Sequence, residues 1–209
     1  MAHVIPFHGT LYNPATVGDV RQVVAPPYDI IDATLQKTLH DRHPNNVIRL
    51  ELGYEQPGDT TGDNKYLRAA GALKEWLKSG ALRRDDKPAI YYHTIEYQPP
   101  YSAPGTPTKV FKGFLSTVEL EEFGSGKIYP HENTRAAAKT DRFNLLEACR
   151  ANFSAIISLY SDPQNDVLTL IEQSIASDKP RIDFQDDVGF RQRLWSVTDP
   201  AVLAKVVEI

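Results

Sequence analysis

The sequence predicts an α+β fold, a mixed and largely antiparallel sheet with flanking helices. Two β-rich runs, residues 89–97 and 109–120, are joined by the proline-stiffened loop QPPYSAPGTP and read as a hairpin. Residues 64–79 place Leu67, Ala70, Leu73, Trp76 and Leu77 at helical spacing, with Gly80 just past the end. Strands and helices alternate without strict β-α-β repetition, which disfavours a doubly wound sheet.

Taken in order, residues 5–12 and 22–25 are short, partly apolar stretches and read as strands or extended arms. Pro26-Pro27 holds the next residues extended. Asp32 is placed to cap a helix through about Asp41, which His43-Pro44 ends. In NVIRLEL, residues 46–52, Val47, Arg49 and Glu51 alternate with Ile48, Leu50 and Leu52, the pattern of a half-buried strand. Residues 57–63 form a polar loop, and residues 127–129 read as a further short strand. Thr140 or Asp141 caps a helix to about Arg150, and residues 155–160 read as a strongly apolar strand. Residues 166–176 are helical, and two strands follow, around 182–184 and 190–197. Asp199-Pro200 is a strong helix start, with a cap and a proline in the first turn. That last helix runs apolar to Ile209, a pattern that predicts the amino-terminal part of a longer protein. The domain expectation is one α+β unit over residues 1–209, with a core to 163 and a second region beginning at 164.

Bulk properties exclude several classes. The net charge of −4 gives nucleic acid and acidic membranes no general attraction. No apolar run approaches a membrane span, and no basic stretch followed by an apolar one marks a leader. A cytoplasmic location is the resulting expectation. Cys149, the one cysteine, excludes an internal disulfide and a multi-cysteine zinc site, and reads as a small apolar residue near a helix end. His3, His8, His40, His43 and His93 are scattered without metal-ligand spacing.

Residues 129–163 hold most of the candidate chemistry. His131 and Glu132 follow a strand and a proline; they form either a hydrogen-bonded loop, or an anion ligand or proton carrier in His131 with Glu132 orienting it or acting as a base. Lys139, Asp141 and Arg142 fall at the expected helix start, where outward N–H groups favour an anion and Arg142 adds bidentate geometry. Asp141 acting as a cap would occupy those same N–H groups, so a plain cap with surface ion pairs stands equally. On one face of the expected strand, Arg49 and Glu51 either hold a zwitterionic small molecule or form a cross-strand salt bridge. Asp29, in the stiff turn after two prolines, serves as base or metal ligand, or simply as a turn residue.

APPYDIID (25–32), HPNNVIRLEL (43–52), YYHTIEY, FKGFLSTVELEEFGSGKIYPHENT (111–134) and KTDRFNLLEACRANFSAIISLYSDP (139–163) occur in this order. Together they resemble the amino-terminal part of the bacterial family called domain of unknown function 1015. The resemblance covers nearly the whole chain and loosens after Pro163. It implies a longer protein whose carboxy-terminal half carries a DGHHR-type motif, similar to phosphate-contacting motifs of partition-protein-like and sulfiredoxin-like domains. At Asn133 the chain departs from the arginine expected in that pattern. The implied function is a nucleotide-dependent phosphotransferase or phosphohydrolase acting on a small metabolite such as free serine, with ATP or another nucleotide and magnesium. In that reading His131, Thr134, Lys139 and Arg142 contact phosphate. Glu132 and Asp29 act as base or magnesium ligand, and Arg49 with Glu51 holds the substrate. The competing expectation is a non-catalytic nucleotide-sensing or scaffold module; nucleic-acid binding ranks third because the chain is acidic.

Overall fold

A computed structural model describes residues 2–208 except 104, 123, 125 and 132. The chain divides into two compact units. The first comprises Met1–Gly9, Asp85–Pro130 and Ser158–Ile209, the second Thr10–Arg84 and His131–Ile157. The α+β expectation holds: helices stand beside three small sheets whose pairings, among the described residues, are all antiparallel.

The first unit is built on β4 (Ile90–Tyr97), β5 (Lys109–Leu115), β7 (Ile182–Gln185) and β8 (Arg191–Val197), in the order β5-β4-β8-β7. The expected hairpin is β4–β5, with Tyr92 opposite Phe114. Alternation along the strand turns Ile90 and Tyr92 toward one face. There they meet Val197 and Trp195 of β8 and pack with Val167, Ile171, Leu203 and Val206. The last four belong to α6 (Asp166–Ser174) and α7 (Pro200–Glu208). Asp199 accepts from the Ala201 N–H, the cap expected for α7. β1 (Val4–Ile5) pairs with β6 (Thr117–Val118). Tyr91, on the opposite face of β4, accepts from the Gly9 N–H at 2.7 Å and donates to Asp85 at 2.8 Å. A Cβ at Gly9 would stand 2.5 Å from the Tyr91 ring, so this close approach requires glycine.

The second unit contains α1 (Pro14–Val17), α2 (Ala33–Arg42), α3 (Ile48–Glu51), α4 (Lys65–Ser79), α5 (Ala136–Cys149) and the β2–β3 pair (Thr10–Tyr12, Leu82–Arg84). Its core gathers Val17, Val23, Leu50, Trp76, Ala81 and Leu82. Asp32 caps α2 through the Leu35 N–H, as expected. Asn64 caps α4 through the Tyr66 and Leu67 N–H groups, and Gly80 ends it at φ 77°.

Five local expectations fail. Residues 46–52 are not a strand, because Asn46 organises the segment as a turn and short helix. Its amide donates to the Gln22 and Val24 carbonyls, and its side-chain oxygen accepts from the Ile48 N–H. With Asn46 and Ile48 fully buried and Leu50 2% exposed, tertiary contacts override the alternating pattern. Residues 20–22 form a 3-10 turn capped by Asp19, leaving no strand at 22–25. Residues 127–129 form no strand. Residues 155–160 form none either, with Ile156 89% and Leu159 91% exposed. Apolar, β-prone side chains make no ladder without a strand edge to pair with. Finally, α5 begins at Ala136 and not at Thr140 or Asp141. The run Ala136-Ala137-Ala138 has the highest helix propensity available, and the Thr140 hydroxyl donates back to the Ala136 carbonyl from inside the helix.

Candidate functional site

The early start of α5 changes the anion argument. Asp141 and Arg142 lie beyond the first turn, with their N–H groups spent within the helix; the Lys139 N–H bonds the Arg135 carbonyl, and the N–H groups without an intrahelical partner belong to Ala136, Ala137 and Ala138. What α5 does provide is the Asp141-Arg142 pair, facing α3 and α4 in the second unit. Arg142 donates through Nη1 to the Glu51 carboxylate at 2.6 Å and through Nη2 to the Glu51 carbonyl at 2.9 Å. It also pairs with Asp141, and its guanidinium lies 4.2 Å from the centre of the Tyr28 ring. Glu51 is 6% exposed and accepts a further bond from the Ser154 hydroxyl.

Asp141 ties this pair to α4. It accepts from the Tyr66 hydroxyl at 2.9 Å and pairs with Lys65 at 2.9 Å; Lys65 also reaches Glu55 at 3.0 Å. Burial pushes the Asp141 carboxyl up, but bonds from Arg142, Lys65 and Tyr66 outweigh it and hold the group below the usual carboxylate range. Burial likewise pushes the Lys65 amine down, and Asp141 and Glu55 more than offset it. The result is a hollow lined by Glu51, Leu52, Gly53, Lys65, Tyr66, Asp141 and Arg142. Its free space of about 10 Å³ is close to that of a single water.

Of the predicted site residues, the structure brings Glu51 and Arg142 together, with Asp141 between Arg142 and Lys65. Arg49 does not share their site, since positions two apart on a helix point about 200° apart. Its Nη2 donates to the His40 carbonyl at 2.7 Å, near the end of α2, so the shared-face pairing of Arg49 with Glu51 is corrected. Asp29 is exposed in the 3-10 turn Tyr28–Ile30, next to the ring that carries Arg142. His131, Thr134 and Lys139 are exposed, the first two in the stretch ahead of α5. Glu132 lies outside the described residues. Among the described residues no three His, Cys, Asp or Glu side chains are grouped to hold a metal ion. The nearest carboxylates, Glu51 and Asp141, are taken by guanidinium and ammonium groups.

Sequence reasoning missed Lys65, Tyr66 and Ser154. Lys65 did carry a signal. A cation in the first turn of a helix opposes the macrodipole and calls for a carboxylate partner. Ser154 carried none.

The chain matches the family described as Protein of unknown function (DUF1015) over residues 4–209. It belongs to that family. The DUF1015 match spans both units and includes every residue of the Glu51–Arg142 cluster. No curated protein and no solved structure matches the chain. No helix among the described residues is long and apolar enough to cross a membrane.

Proposed function

We propose that the second unit binds a small charged metabolite at the Glu51–Asp141–Arg142 hollow, and that the chemistry is phosphoryl transfer from a nucleotide, or phosphate hydrolysis. Free serine is the first substrate to try. The observation that carries this reading is the Glu51 carboxylate, buried and accepting from the Ser154 hydroxyl with Arg142 at its side. A carboxylate so placed is a base for a hydroxyl nucleophile, and in this reading the substrate hydroxyl takes the position of Ser154. Phosphoryl transfer needs mainly positioning and neutralisation of charge, which Lys65 and Arg142 are the right residue types to supply. The test is phosphate release and product detection by phosphorus NMR with ATP, ADP or CTP, magnesium and a panel of hydroxyl amino acids. Turnover lost in Glu51→Gln supports the reading. No turnover together with no calorimetric nucleotide binding ends it.

A second reading, a nucleotide-sensing or scaffold module without catalysis, draws on a different observation. Both cations of the hollow are already paired with carboxylates, and its free space is about that of one water. That observation speaks for a structural ion-pair cluster without catalysis, and this reading expects no turnover, with any nucleotide-linked change of oligomeric state by light scattering arising from binding outside the hollow.

A further inference from the structure

His40 is 8% exposed on α2, and its imidazole stacks on Tyr54 with centroids 4.1 Å apart and planes 20° from parallel. The ring bonds the Leu52 carbonyl, which also accepts from Gln36 at 2.8 Å. Nε2 is buried and has no hydrogen-bond partner among the described residues, so Nδ1–H is the donor to Leu52 and Nε2 carries the lone pair. The titratable and charged groups around the ring are Arg49 from α3, Tyr54 from the segment after α3, and Asp41 on α2 itself. Asp41 is exposed and paired with Lys37, whereas the Nε of Arg49 is buried without a partner among the described residues.

We propose that His40 is a proton-sensitive latch holding residues 52–54, the segment whose Leu52 and Gly53 form one wall of the Glu51 hollow. Only neutral imidazole fits this position. A proton on Nε2 would create a buried cation with no acceptor, close to the Arg49 guanidinium. The ring escapes by turning out to water, which breaks both the stack on Tyr54 and the bond to Leu52. The wall then loosens. Burial, and after it the Arg49 charge, push the His40 pKa below its ordinary 6.5. A histidine depressed in the folded state stabilises it fully above the unfolded value and loses that contribution as pH falls through the folded one. The latch is therefore fully closed above the ordinary 6.5, weakens as pH falls below it and is lost as pH falls through the lower folded value. Its effect on a ligand rests on the reading of the hollow given above, while the latch itself is read without any ligand.

Hydrogen exchange on the ligand-free chain tests it at pH 7.5 and 5.5, corrected for intrinsic rates. Exchange at residues 52–54 is expected to rise at least about threefold on acidification relative to the amides of β4. His40→Gln, which keeps a donor and does not titrate, is expected to abolish that rise. Should the variant fail to fold, proton NMR of the unaltered chain decides, with His40 expected to titrate below the ordinary 6.5. Exchange at 52–54 that ignores pH, or a His40 that titrates at or above the ordinary 6.5, overturns the latch. Both readouts are independent of whether the hollow binds anything.

Discussion

Arg142 is held by one buried carboxylate, one backbone carbonyl, one neighbouring carboxylate and one aromatic face. Removing one partner of a buried pair costs more than the pair contributes, because the other charge stays behind undischarged. Arg142→Ala is therefore expected to lower stability by about 2–3 kcal/mol in urea unfolding, since it strands Glu51. The double variant Glu51→Gln with Arg142→Met should recover much of that loss, and a pairing of little consequence would show simple additivity instead. Asp141 sets an acid limit. Its carboxyl is held below the ordinary 3.8, so its contribution is complete above that pH and disappears as pH falls through the folded value. Asp141→Asn should reduce stability at neutral pH and flatten the part of the pH–stability curve below about 4 that Asp141 supplies. Among the residues, Arg142 and Glu51 were legible as charged groups of the right type. Their partnership was not, because it joins positions 91 apart in sequence.

At the scale of elements, caps and periodicity read well and competing local patterns read badly. Asp32 before α2 and Gly80 after α4 carry their own chemistry and stand where the sequence predicts, while Asn64, expected as the first residue of the helical stretch, is the cap of α4. Thr140 and Asp141 are good cap residues, yet helix propensity upstream in the alanine run is stronger, and α5 starts at Ala136. The far end of α5 bears a testable strain. Arg150 takes the left-handed conformation at φ 51° and its N–H bonds the Leu146 carbonyl, a position glycine fills at no steric cost. Arg150→Gly is expected to raise the urea midpoint, with a gain of about 0.5–1 kcal/mol. An unchanged or lower midpoint would mean that the arginine side chain contributes more than its backbone costs. NVIRLEL shows the opposite kind of limit. Its alternation is real, but Asn46, bonded to carbonyls more than twenty residues away, turns the chain before a strand can form.

Over the whole molecule, the two units have separate apolar cores and one tryptophan each, Trp195 in the first and Trp76 in the second. That allows each core to be followed optically. Ile171 is fully buried between α6 and the sheet, and Ile171→Ala is expected to cost about 2–5 kcal/mol. In a Trp76→Phe background, Trp195 fluorescence should report a lower midpoint for that variant. An unshifted transition would show that the packing of α6 contributes little to the unit. The order of most helices, the β4–β5 hairpin and the β7 and β8 strands were present in the sequence, because caps, turns and apolar periodicity act within a few residues. The segregation of the chain into two cores, the helical state of residues 48–51 and the convergence of Glu51, Lys65, Asp141, Arg142 and Ser154 were decided only in three dimensions. Each depends on contacts between distant segments, and a buried charge or amide finds its partners through space with no local pattern to announce them.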